Sequence, residues 1–112
     1  MRISSRHDVA LAFLLEIENV SKPVASIAAS TGSSLSNMEH TARALRQAGI
    51  IESLRGKDGG YTLMRPLNEI TVDDLFQAIG TDTKRRGYGL FDEIHRRLKD
   101  VALSEFAAKA RQ

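Results

Sequence analysis

Ser34, Ser36, Asn37, His40 and Arg43 crowd into one short stretch, and their types suit hydrogen-bond recognition better than bond-making chemistry. Asn can pair bidentately with adenine and Arg with guanine, while Ser hydroxyls serve base or phosphate. A serine opening a helix also leaves free backbone N–H groups that suit a phosphate. Downstream, Arg55-Gly56-Lys57-Asp58-Gly59-Gly60-Tyr61 carries two cations on a glycine-rich turn. Gly59 and Gly60 lack a Cβ and can take the positive φ of a tight hairpin. Arg55 and Lys57 would then project from a narrow β-ribbon.

Other chemistries find little material. The chain has no cysteine, which removes disulfides, thiolate zinc sites and cysteine-ligated iron–sulfur clusters from these 112 residues. His7, His40 and His95 are widely spaced, and Asp92 with His95 is the sole i,i+3 acid–imidazole pair. Neither a metal nor a catalytic set converges, so that pair reads as exposed helix surface and no enzyme is expected. The net charge of +2 is too small to argue for nucleic acid by itself. Its distribution matters more: Arg43, Arg46, Arg55, Lys57 and Arg65 cluster mid-chain. No apolar run approaches the roughly 20 residues that cross a bilayer. Glu16 and Glu18 follow the apolar stretch Val9–Leu15 at once, unlike a signal peptide, so the cytoplasm is the expected address.

The elements that would position these residues follow from periodicity and punctuation. Ser4 or Ser5 caps a helix to about Glu18, with Val9, Ala10, Phe13, Leu14 and Ile17 on one stripe. Pro23 suits the start of a short second helix, Val24 to Ser30, with Val24, Ile27 and Ala28 inward. Gly32 is placed for a left-handed turn beyond it. Ser34 caps a third helix to about Ala48, with Leu35, Met38, Ala42 and Leu45 as its buried stripe and Gly49 closing it. A ribbon spans about Ile50 to Met64. Thr71 with Asp74 forms a capping box for a fourth helix bearing Val72, Leu75, Phe76 and Ile79, which Gly80 ends.

Thr81 to Gly89 is a polar loop whose Lys84-Arg85-Arg86 run would touch phosphate, bind an anionic effector or stay solvated. A single last helix is expected from Leu90 to about Ala110. Phe91, Ile94, Leu98 and Val101 step along it by three and four as a helix-pairing seam. The pairs Asp92/Arg96, Glu93/Arg97 and Glu105/Lys109 would support it.

Two helices joined by a glycine turn, the second with polar outer positions, define a helix-turn-helix. The order of residues then resembles the Rrf2 family of bacterial transcription regulators along nearly the whole chain. The resemblance runs from Met1-Arg2-Ile3-Ser4-Ser5-Arg6 through Val9-Ala10-Leu11, Ile27-Ala28 and Gly32. It is strongest over Leu45-Arg46-Gln47-Ala48-Gly49-Ile50-Ile51 and over Arg55-Gly56 with Gly59-Gly60-Tyr61. Arg65-Pro66 and Glu69-Ile70-Thr71 complete it.

The resemblance implies a dimeric winged helix on near-palindromic DNA. It places Ser36, Asn37, Glu39 and His40 where recognition-helix contacts are made, and Arg55 where the wing meets the minor groove. Many members hold an iron–sulfur cluster through three cysteines in the loop before the dimerisation helix; here Gly80 to Gly89 contains none. Asn37 replaces an aromatic common in the recognition helix, so base preference is not carried over. Asp8 stands where several members carry a base, and reads as an acid in the first helical turn.

The expected architecture is α+β and mainly helical. It consists of a winged helix-turn-helix over residues 1–80, and a loop with a C-terminal dimerisation helix over 81–112. The expected function is sequence-specific DNA binding as a homodimer that regulates transcription, without a cofactor. Ser5, Arg6, Lys57 and Arg46 would contact phosphate; Ser34, Ser36, Asn37, Glu39, His40, Arg43 and the ribbon's Arg55, Gly56, Gly59 and Gly60 complete the DNA-facing set. The alternatives are a winged helix that binds a protein, or a regulator controlled by a small molecule or an enzyme.

Overall fold

The computed structural model describes residues 5–54, 59–80 and 90–110. Helix α1 (Ser5–Glu16) is followed by α2 (Val24–Thr31) and α3 (Leu35–Gln47). Strands β1 (Ile51–Ser53) and β2 (Tyr61–Leu63) come next, then a 3₁₀ turn at Leu67–Glu69. Helices α4 (Val72–Ile79), α5 (Leu90–Leu98) and α6 (Ser104–Ala110) complete the order. Phe13, Leu14 and Ile17 from α1, Ile27 from α2, and Met38 and Leu45 from α3 meet in one core with Ile50, Ile70 and Leu103.

Local chemistry accounts for the helix-turn-helix. Gly32 ends α2 in the left-handed conformation, φ 73°, where its N–H reaches Ala28 O. Two residues later the Ser34 hydroxyl accepts the Asn37 N–H at 3.1 Å and caps α3. Met38, Thr41, Ala42 and Leu45 form the buried stripe of α3. Leu35, expected in that stripe, is instead 48% exposed. It is the first residue of the helix, so no earlier turn of α3 lies beside it to cover its side chain.

β1 and β2 pair antiparallel in the register Ile51↔Leu63, Glu52↔Thr62 and Ser53↔Tyr61. The ribbon is also anchored where β2 begins. Lys22, in the turn between α1 and α2, exchanges backbone hydrogen bonds with Tyr61 at 3.3 and 2.9 Å. That close approach explains Gly60: a Cβ there would lie 2.3 Å from the Lys22 carbonyl carbon and oxygen. Gly60 is absent from the glycines with positive φ, so the expected hairpin role is corrected to one of backbone contact. The Tyr61 ring meets Phe13 edge-on at 5.8 Å, and the Lys22 ammonium pairs with Glu16 at 2.9 Å.

The largest departure from expectation lies at the C-terminus, where one continuous helix becomes two. The capping box of α4 forms as expected: Thr71 Oγ1 accepts from Asp74 N, and Asp74 Oδ2 accepts from Thr71 N. It leaves the N–H groups of Val72 and Asp73 without intrahelical partners. Val101 O accepts the first at 2.9 Å and Lys99 O the second at 3.0 Å. Ile70 O takes the Leu103 N–H at 2.8 Å. In an uninterrupted helix those carbonyls would be committed to residues four positions on. The chain breaks instead, and α6 folds back to bury Leu103 and Ala107 in the core. Val101 is half-buried against the same core. Its place on a common helical seam with Phe91, Ile94 and Leu98 is therefore corrected.

Candidate nucleic-acid interface

The outward face of α3 gathers most of the expected contact residues. Ser34, Ser36, Asn37, Glu39, His40 and Arg43 are all exposed on it. Its buried face locks it to α1, α2 and α4, so these side chains ride on a fixed element. Thr41, one helical turn after Asn37, donates its hydroxyl to the Asn37 carbonyl at 2.9 Å.

Arg6 belongs to this surface through a contact the sequence pattern did not signal. Its guanidinium donates to Ile79 O at 3.0 Å, at the end of α4, while the side chain remains exposed. Arg6, Asn37, His40, Thr41, Ala44 and Ile79 line an open cleft of about 300 Å³ between α1, α3 and α4. Donors from two helices thus border one concavity beside the outward face of α3. Ser5 opens α1. On the ribbon side, Arg46 lines a second open cleft of about 500 Å³ with Gly49, Ile51, Glu52, Ser53 and Met64.

Arg55, Gly56 and Lys57, between the two strands in sequence, lie outside the described residues, as do Lys84, Arg85 and Arg86. Gly59 and Gly60 lie just before β2, where Gly60 O accepts from Leu54 N at 2.7 Å. Arg65, grouped by sequence with the mid-chain cations, is held within the fold. It donates to Asp74 Oδ2 at 2.8 Å and to Glu69 O at 3.2 Å. Burial pushes the Asp74 carboxyl up, but the Thr71 N–H and Arg65 together outweigh it and hold Asp74 below its ordinary value. The Lys22 hydrogen bond does the same for Glu16, against a smaller opposing effect of burial.

The three histidines separate in the fold. His40 is exposed on α3. His7 is 7% exposed: its Nε2–H donates to Gly80 O at 2.8 Å, and its ring lies 4.6 Å from that of Phe76. Periodicity had singled out its neighbours Val9 and Ala10, leaving this burial unread. His95 donates to Asp73 Oδ1 at 2.9 Å, which ties α5 to α4, and the ring is half-buried where exposed helix surface was expected. In α5 the expected Glu93/Arg97 pair forms at 2.7 Å, and Arg96 pairs with the same carboxylate. Asp8 is exposed on the first turn of α1.

The model of the Rrf2 family, described as an iron-dependent transcriptional regulator, matches residues 3–107. The chain belongs to the Rrf2 family. The regulator IscR of Pectobacterium carotovorum is 35% identical over 83 residues, covering 70% of this chain and 51% of that protein. The chain thus spans about half the length of that relative. Among solved structures, T. potens IscR superposes with a TM-score of 0.81 at 22% identity, covering 98% of this chain and 88% of the other. CymR, the global cysteine regulator of B. subtilis, gives 0.78 at 21%, with 97% and 98% covered. These likenesses establish the winged-helix fold.

The iron in the family's description does not fit the residues of this chain. No cysteine is present to supply a thiolate. Among the described residues, no three His, Asp or Glu side chains come close enough to share a metal ion. None of the described helices is long and apolar enough to cross a membrane.

Proposed function

We propose that this chain binds duplex DNA sequence-specifically and regulates transcription, acting as a homodimer on a near-palindromic site. The observation that carries the reading is the outward face of α3. A serine-capped helix, fixed by its buried stripe, presents Ser36, Asn37, His40 and Arg43 to solvent beside an antiparallel ribbon. In a helix-turn-helix that end of the second helix enters the major groove. The Asn37 amide offers one donor and one acceptor to adenine, the Arg43 guanidinium two donors to guanine, and Glu39 an acceptor. Arg6 and Arg46, each lining an open cleft, supply phosphate contacts with Ser5 and Lys57. Arg55, between the strands in sequence, is assigned to the minor groove.

A single module of this size covers too little DNA for tight specific binding, and a two-fold pair doubles the contact on a palindrome. Ile94 and Leu98 of α5 keep half-buried or exposed apolar surface suited to pairing with a second copy, with Phe91 of the same helix. Val101 is left out, because it packs within its own chain.

Titration of duplex affinity against salt tests the reading. A DNA-binding face that displaces counterions should lose affinity steeply as ionic strength rises. Affinity indifferent to salt, or retention of a protein partner but of no duplex, would favour a protein-interaction winged helix.

A further inference from the structure

We infer that Leu35 is a specificity-determining residue that reads the 5-methyl group of thymine in the major groove. The inference rests on the DNA-binding reading of α3. Leu35 was expected in the buried stripe, yet it stands 48% exposed as the first residue of the helix. Its exposed neighbours Ser34, Ser36, Asn37 and Glu39 are all polar. The Ser34 hydroxyl is occupied in capping, and the Leu35 side chain has no polar atom with which to bond water, phosphate or a base edge. What it offers is a branched apolar surface at the end of the helix that enters the groove.

The major groove presents one apolar group, the thymine methyl, and contact with it separates T·A from the other pairs without a hydrogen bond. Leu35 and Asn37 together therefore offer two kinds of readout from the same helical turn. Asn37 meets donors and acceptors, and Leu35 recognises a methyl group. Leucine half-covered in the free protein gains by burying that methyl, and the gain vanishes when the methyl is absent.

The test is selection from a randomised duplex pool, made in parallel with thymine and with uracil in its place. A duplex recovered from the thymine pool is then remade with single uracil substitutions and bound by wild type, Leu35→Ala and Leu35→Met. For wild type, loss of one methyl at the contacted position should weaken binding about fourfold, the worth of burying one methyl-sized group. Leu35→Ala should bind the thymine duplex more weakly and respond little to the same uracil. Leu35→Met keeps an apolar reach and should restore the discrimination. Thermal melting should be near wild type for both variants, because the side chain lies outside the core.

Equal sensitivity to uracil in wild type and Leu35→Ala would overturn the inference while leaving DNA binding intact. Retention of no duplex by wild type would overturn the DNA-binding reading, and this inference with it.

Discussion

The helix-turn-helix with its ribbon and the C-terminal pair α5–α6 are built by different physics. In the first region each boundary has a local cause. Gly32 turns the chain after α2, Ser34 caps α3, and Thr71 with Asp74 caps α4. In the second, the break at residues 99–103 has no comparable local signal. It exists because Val101 O and Lys99 O complete the N-terminus of α4, far away in sequence. A helix start can thus decide where another helix must stop. A three-and-four apolar repeat cannot reveal this, because it is compatible with both one helix and two.

The sharpest way to break this comparison is to separate Leu103 from Leu98. Leu103 is 1% exposed and seated in the core, whereas Leu98 is 37% exposed on α5. Leu103→Ala should cost about 2–5 kcal/mol in urea unfolding, as large-to-small core changes do. Leu98→Asp should leave monomer stability nearly unchanged but shift sedimentation from dimer to monomer. If Leu103→Ala proves nearly neutral, α6 does not dock on its own chain as described.

Gly60 offers a test of the first region that its local signals did not suggest. Gly60→Ala places a Cβ against the Lys22 carbonyl, with backbone on the other side and no flexible side chain to yield. A loss of about 1–3 kcal/mol in urea unfolding is expected, in the range of overpacking a tight contact. An unperturbed protein would mean the ribbon is not held to the α1–α2 turn.

What was legible in the sequence divides along the same line. Ser34, Gly32, Gly49 and the Thr71–Asp74 box mark boundaries through groups within a few residues, and all four appear where expected. Ser36, Asn37, His40 and Arg43 were legible as a surface because Met38, Ala42 and Leu45 define the opposite face. Leu35 was not, since a periodicity rule ignores that the first residue of a helix has no preceding turn. Nor was the Arg6 contact to Ile79, the burial of His7 or the His95–Asp73 pair, each of which joins residues over 20 positions apart. Gly60 was assigned to the right element for the wrong reason: what its missing side chain accommodates is a neighbouring backbone.

Acid should produce a smaller effect, again divided between the regions. Glu16 and Asp74 are both held below their ordinary values of 4.5 and 3.8. A depressed folded-state value means that the stabilisation is fully present above the unfolded value and is lost as pH falls through the folded one. Urea stability should therefore decline below about pH 4.5 from these pairs. Both carboxylates keep solvent contact, so the decline is modest. Asp74→Asn should flatten the part of the acid limb due to α4, leaving the part due to Glu16 beside the α1–α2 turn. An unchanged pH profile in Asp74→Asn would show that neither the Thr71 N–H nor Arg65 ties stability to the ionisation of Asp74.

The central claim, that the outward face of α3 chooses sequence, is tested most directly by the ratio of affinities for a selected duplex and a random one. That ratio is to be measured at fixed salt for wild type and for Asn37→Ala with Arg43→Ala. Each bidentate base contact carries about 1–3 kcal/mol of discrimination. The account predicts that the double variant loses at least about tenfold of the ratio, while melting normally and binding random DNA only slightly more weakly. A ratio equal to that of wild type would contradict it and place sequence choice elsewhere on the protein.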